Sequence, residues 1–343
     1  MARAWTRKRA ALAATLAVAA LASGCGIGGA SDDGDTVRVY TGRHYGVEHA
    51  FAQFTEETGI EVDFLFGNDA ELRERIEAEG EDTQADVYMT VDAGNLAVGA
   101  EQGMFQPTDS EAIDAAIPAN LRDPEGLWFG LSVRARTIVY NPAEVSPDEL
   151  STYEDLADPR WKGRLCMRNS PNVYTQSLVA SLIAHHGYDE ALRVVKGWVG
   201  NDTDIMATDV LILEAISQGA CDVGITNHYY LAREYAEDPE FPVELVWANQ
   251  ADRGVHMNVS GAGVARHADN PELGRQLIEW LATDGQGIFV DGNHEYPANP
   301  EVPAEPLITE RFGTDFRRDD LAAATFGGLN ADAIRLMDEA GYA

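Results

Sequence analysis

Tyr229 and Tyr230 stand side by side in Ile225-Thr-Asn-His-Tyr-Tyr-Leu-Ala-Arg233, where an apolar run reads as a strand ending and a helix beginning. Two other tyrosines share this setting. Tyr45 closes Thr41-Gly-Arg-His-Tyr45 after the alternating Val37-Arg-Val-Tyr40, and Tyr174 closes Asn169-Ser-Pro-Asn-Val-Tyr174 after Arg164-Leu-Cys-Met167. In an open α/β sheet, ligands gather beyond the carboxyl ends of the strands, where helix N-termini point unpaired N–H groups. Those positive helix ends would ease the ionisation of a phenol. A phenolate is a hard anionic oxygen donor and suits a hard, highly charged cation such as Fe(III). Ca(II) and Mg(II) ask for carboxylates and carbonyls, and Zn(II) for Cys and His, neither of which is concentrated at these exits. A single Tyr-Tyr pair is most often packing. Three tyrosine motifs at equivalent strand exits are a pattern that packing alone does not require.

Other residues fit around such a metal. His44 offers either an imidazole ligand beside Tyr45 or an ordinary loop histidine. Arg43 and Arg134 offer charge balance for clustered phenolates or a hold on an accompanying anion; an ion pair between elements is the alternative. His228 and the His185–His186 pair read as solvent-facing or capping groups. Nucleophile elbows, Walker loops, H-E-x-x-H helices and C-x-x-C pairs are absent from the chain. Carboxylates are so abundant that nominating any pair for acid/base work would carry no information, so nothing specific supports an enzyme.

The elements that must position these residues begin after an address. Arg3, Arg7, Lys8 and Arg9 precede an apolar run from Ala10 to Ala22 and then Ser23-Gly-Cys25, which reads as a lipoprotein signal peptide over 1–24, with Cys25 lipidated after cleavage. A simple secretory signal is the alternative. Residues 25–35 have the Gly, Ser and Asp content of a flexible tether. Gly24, Gly26 and Gly29 match G-x-G-x-x-G, but with no strand before them and no helix after them the dinucleotide reading fails. The formal charge of −32 over 343 residues argues against nucleic acid or an anionic membrane surface as a partner. Of three cysteines, Cys166 and Cys221 remain, either paired as a disulfide in an exported protein or buried as thiols.

From Thr36 onward the pattern alternates strand and helix: a strand at 37–40, a helix with Ala50, Phe51 and Phe54 on one face, a strand at 61–66, a helix near 70–79 and a strand at 86–91. The same grammar restarts with a strand at 163–167, helices at 175–185, 191–199 and 210–217, and a strand at 222–226. Such alternation implies parallel βαβ units and an α/β fold. Two extended stretches, 131–140 and 257–264, are suited to crossing between the two groups. Beyond Pro297 the chain reads as Pro-rich and then helical, with no clear helix boundaries.

Taken in order, Arg43-His-Tyr45, Gly130-Leu-Ser-Val-Arg-Ala-Arg136, Leu150-Ser-Thr-Tyr-Glu-Asp-Leu-Ala-Asp-Pro159 with Trp161-Lys-Gly-Arg164, Arg168-Asn-Ser-Pro-Asn-Val-Tyr174, Asn227-His-Tyr-Tyr230 and Asn258-Val-Ser-Gly-Ala-Gly263 resemble the ferric-ion-binding substrate-binding proteins of bacterial iron ABC transporters. The resemblance implies a two-lobed periplasmic-binding-protein architecture with a crossover-strand hinge. Lobe 1 would comprise 36–133 plus 262–304, and lobe 2 134–261 plus 305–343. It places the family's iron-binding tyrosines on Tyr45, Tyr174, Tyr229 and Tyr230, its variable histidine ligand on His44, and its site arginines on Arg43 and Arg134. It implies Fe(III) as cargo, with a synergistic anion such as carbonate as an adjunct. It further implies a monomer anchored to the outer face of the cytoplasmic membrane that delivers iron to an ABC permease. A same-fold binder of a small organic ligand, anion or polyamine is the alternative. His294, in Gly292-Asn-His-Glu-Tyr-Pro297, and the segment Ile205-Met-Ala-Thr-Asp209 depart from the family's usual pattern.

Overall fold

Strand and helix alternate through the first half of the chain as the apolar spacing requires. The computed structural model describes residues 35–43 and 47–343, the side chain of Val47 excepted. The leader, Cys25 with nearly all of the tether, His44 and Tyr45 lie outside the described residues.

Strand β1 (Thr36–Thr41) buries Val37 and Val39 and pairs in parallel with β2 (Glu61–Phe66) and β3 (Val87–Thr90). Helix Val47–Thr58 makes the first crossover and lays Ala50, Phe51 and Phe54 into the core, with Phe54 edge-on to Trp280 at 5.5 Å. Helix Asp69–Glu79 makes the second. Asn68 starts it by accepting the N–H groups of Ala70 and Glu71, and Gly80 ends it at φ +58°, a backbone state that glycine adopts without strain.

The centre of the sheet is antiparallel. Strand β4 (Phe129–Tyr140) is buried at all twelve positions, and β9 (Met257–Val264) lies between it and β3. Over Phe129–Ala135, β4 pairs with β9; over Arg136–Tyr140 it pairs with β7 (Val223–Asn227). Strand β7 runs parallel to β5 (Leu165–Arg168), which is parallel to β6 (Asp204–Met206). The short strands β8 (Glu244–Val246) and β10 (Tyr296–Pro297) add to β4 at its second and first halves respectively. The strand order is β2-β1-β3-β9-β4-β7-β5-β6. One strand thus joins two α/β halves, and its neighbours change between Ala135 and Arg136.

Gly261 in β9 is a packing requirement: a Cβ there would come within 2.5 Å of the Phe129 carbonyl oxygen. Cys166 on β5 and Cys221, just before β7, are joined as a disulfide, with Cα atoms 5.9 Å apart. Segment 205–209 resolves into β6 and a cap, in which Thr208 accepts the Leu211 N–H at the start of helix Asp209–Ser217. The region after Pro297 ends in helix Asn330–Ala340, packed on the helices Val173–His186 and Tyr188–Gly200. Among the described residues, no helix is long and apolar enough to cross a membrane.

Candidate metal centre

Strands β5 and β7 are parallel neighbours, so their carboxyl ends open on the same edge of the sheet. After β5 the chain turns through Asn169–Asn172, and Asn172 caps helix Val173–His186 by accepting the Tyr174 N–H at 3.0 Å. After β7, helix His228–Glu237 begins at once and presents Tyr229 and Tyr230 in its first turn. The two exits meet. Tyr229 Oη donates to Tyr174 Oη at 3.2 Å, Asn227 Nδ2 approaches Tyr229 Oη at 3.4 Å, and the Tyr229 and Tyr230 rings lie 4.3 Å apart.

The base of this group is braced by a buried ion pair. Arg136, the first β4 residue in the second half, reaches Asp209 Oδ2 at 3.1 Å, Asn227 Oδ1 at 3.3 Å and the Ile225 carbonyl at 3.2 Å. Arg134 lies with its guanidinium 5.1 Å from the Tyr174 ring, and Arg233 sits 5.2 and 5.5 Å from the rings of Tyr229 and Tyr230. Cationic groups this close to the ring faces are attracted by the ring quadrupole.

Tyr174 and Tyr229 nevertheless resist ionisation, contrary to the expectation from helix ends. Burial pushes both Tyr174 and Tyr229 well above the ordinary phenol range, and Arg134 only partly offsets it. Loss of hydration is the largest influence on both, and Tyr174 and Tyr229 are neutral phenols hydrogen-bonded to each other.

The two nominated arginines are already engaged. Arg43 Nη1 meets Glu295 Oε2 at 2.5 Å, Ser132 Oγ at 3.0 Å and Ser260 Oγ at 3.1 Å, while its Nη2 donates to the Phe289 carbonyl. Arg134 donates to Ser260 Oγ at 2.9 Å and lies 3.6 Å from Glu295 Oε1. All three charged side chains are at most 2% exposed. Burial works against the Glu295 carboxylate, but Arg43 and Arg134 hold it at about 2. Arg43 and Arg134 thus form an ion pair between elements, but a buried one with Glu295 and not the weakly held pair of an exposed surface. His294 pairs with Glu305, and it is the neighbouring Glu295 that enters the charge cluster.

His228 corrects another expectation. It is fully buried, stacked 4.9 Å from Tyr296, and its Nδ1 accepts the Ala135 N–H at 3.2 Å where β4 changes partners. Burial lowers its pKa to about 4. His185 and His186 pair with Asp319 and Glu154.

Outside Tyr174 opens a cleft of about 600 Å³, lined from the other half by Gly42, Asn68, Asp69 and Arg73 and on the near side by Asn172 and Tyr174. Burial raises Asp69 to about 6. Arg43, the last described residue before His44 and Tyr45, lies at the first strand exit.

Residues 82–313 match the model of the family described as bacterial extracellular solute-binding protein. Iron uptake protein A1 of Synechocystis is 41% identical over 315 residues, spanning 89% of this chain and 87% of that protein. The Fe(3+)-binding periplasmic protein of Serratia marcescens is 28% identical over 88% of this chain and 89% of its own length. Among solved structures, the FutA (IdiA) of Trichodesmium, in complex with iron and citrate, superimposes with a TM-score of 0.85 at 42% identity, covering 90% of this chain and 100% of that one. The fold is the two-lobed α/β architecture of these neighbours, hinged at the crossover strands. The chain belongs to the bacterial extracellular solute-binding protein family, in the company of the iron uptake and ferric-binding proteins.

Proposed function

We propose that this protein captures Fe(III) in the cleft between its lobes and delivers it to an ABC permease, as a binding protein and not an enzyme. The observation that carries the reading is the meeting of Tyr174, Tyr229 and Tyr230 at two adjacent strand exits, with two phenols in direct hydrogen bond. Tyr45 adds to this set from the first lobe as the hinge closes, with His44 as the variable further ligand. The lobe boundaries 36–133 plus 262–304 and 134–261 plus 305–343 are part of the proposal, supported by the change of β4 partners after Ala135. So are export, a monomeric state and anchoring through a lipidated Cys25, for which the mass of the mature N-terminus is the check. An accompanying anion such as carbonate would share Arg43 and Arg134 with Glu295, so we expect it to strengthen iron binding without being required.

Ligation needs deprotonated phenols, and a phenol ordinarily keeps its proton at neutral pH, so binding must release protons. Iron should bring a visible phenolate-to-Fe(III) charge-transfer band. With the four phenols of Tyr45, Tyr174, Tyr229 and Tyr230 ligating, the log of the affinity should fall by about four per unit of acidification, measured against a competing chelator of known pH dependence. The titration is run with and without bicarbonate. Absence of the band, or an affinity independent of pH, would sink the phenolate site and favour an organic or anionic ligand.

A further inference from the structure

The loop that delivers Tyr174 is held from an unexpected direction. Helix Asn330–Ala340 ends at Gly341 in the left-handed conformation at φ +72°, and the Tyr342 N–H turns back to the Met337 carbonyl at 2.9 Å. This reversal sends the Tyr342 side chain inward, where it is 4% exposed. It fits against Arg136, Met167, Thr175 and Ile225 with a void of only about 10 Å³. Tyr342 Oη donates to the Arg168 carbonyl at 2.7 Å, and the Ala343 carbonyl accepts the Ser170 N–H at 2.9 Å. Arg168 is the last residue of β5, and Ser170 lies in the short connection before Tyr174. Thr175 Oγ1 also donates to the Arg168 carbonyl, at a longer 3.4 Å. Burial keeps the Tyr342 phenol protonated and therefore a donor.

We propose that Tyr342, with Ala343, is a positioning residue for the metal centre: it clamps the β5-to-helix connection and so sets where the Tyr174 oxygen stands relative to Tyr229. The proposal rests on Tyr174 being an iron ligand. Partners that orient a ligand from outside the metal's own shell are commonly worth 10–100-fold in metal affinity.

The test compares the wild type, Tyr342→Phe, Tyr174→Phe and the double variant, using Fe(III) as the probe. Phenylalanine keeps the ring that fills the pocket and deletes only the donor. Tyr342→Phe is expected to weaken Fe(III) binding about tenfold and shift the charge-transfer band, and to cause no further loss when Tyr174→Phe is already present. Equal losses in both backgrounds, or a lowered melting temperature with affinity and band unchanged, would overturn the proposal and leave Tyr342 a packing residue. If Tyr174→Phe itself binds iron as tightly as the wild type, the reading of Tyr174 as a ligand fails and the clamp proposal falls with it.

Discussion

The phenol group at the ends of β5 and β7 and the Arg43–Glu295–Arg134 cluster on the first half of β4 are both buried, and Arg134 touches both. They solve the problem of burial in opposite ways. Tyr174 and Tyr229 stay neutral, one phenol donating to the other, and under the proposed function they become charged only when a cation takes the place of their protons. The cluster keeps its charges permanently, because opposed charges and serine hydroxyls replace the lost water. A binding site that must accept and surrender a trivalent ion needs the first arrangement. A scaffold that must not change with its cargo needs the second.

The most direct way to break this division is Tyr229→Phe/Tyr230→Phe, which removes two candidate ligand oxygens while keeping the rings. Fe(III) affinity is expected to fall about a thousandfold or more, roughly 4 kcal/mol, with thermal stability nearly unchanged. Retained affinity would move the ligand set elsewhere.

Glu295→Gln tests the other side. It leaves Arg43 and Arg134 buried without their carboxylate, and chemical denaturation should show a loss of about 3–5 kcal/mol while the visible band of the iron-loaded protein stays in place. A lost band with intact stability would mean that the cluster belongs to the metal site.

Acid separates the two charge strategies further. His228 and His256 are buried and neutral, lowered mainly by desolvation to about 4 and about 3, so the unfolded chain binds more protons below its ordinary histidine range. Stability should therefore fall as pH drops from about 6.5 toward 4, by about 3 kcal/mol for His228, and level off below both folded values. Glu295, with a depressed folded value, contributes above the ordinary carboxylate range, and its contribution is lost only as pH falls toward about 2. Denaturant midpoints of the iron-free protein across pH 3–7 give the order of these losses. A flat profile above pH 5 would contradict the buried neutral histidines.

Much of this was legible in the residues. Strict alternation placed β1, and the three-to-four spacing placed helix Val47–Thr58, because those signals depend on local burial alone. The tyrosine motifs were legible because strand exits carry a recognisable change of period. Glu295 was not. Among 57 acidic residues nothing local distinguishes the one that two buried arginines require, since its partners Arg43 and Arg134 are far away in the chain. The nearest available signal was Arg134 within the apolar stretch 129–140, since a guanidinium buried there needs a carboxylate. His228 was misread for a related reason: beside two tyrosines and at a helix start it resembles a cap, and it is distant partners, among them Ala135 of β4, Trp247, Tyr296 of β10 and Phe312, that bury it. The clamp by Tyr342 was equally hidden, because helix boundaries after Pro297 follow from docking on the earlier helices more than from spacing.

The passage of β4 from one half of the sheet to the other has a mechanical meaning. A hinge made of loop would have to give up order in order to move, whereas here the backbone at the crossing is hydrogen-bonded on both sides: the Arg136 N–H to His256, and the Ala135 N–H to the His228 ring. Strands tolerate changes of twist with their ladders intact. The halves can swing as a ribbon is wrung, without breaking bonds. Resistance to that motion would then lie in side chains crossing the cleft.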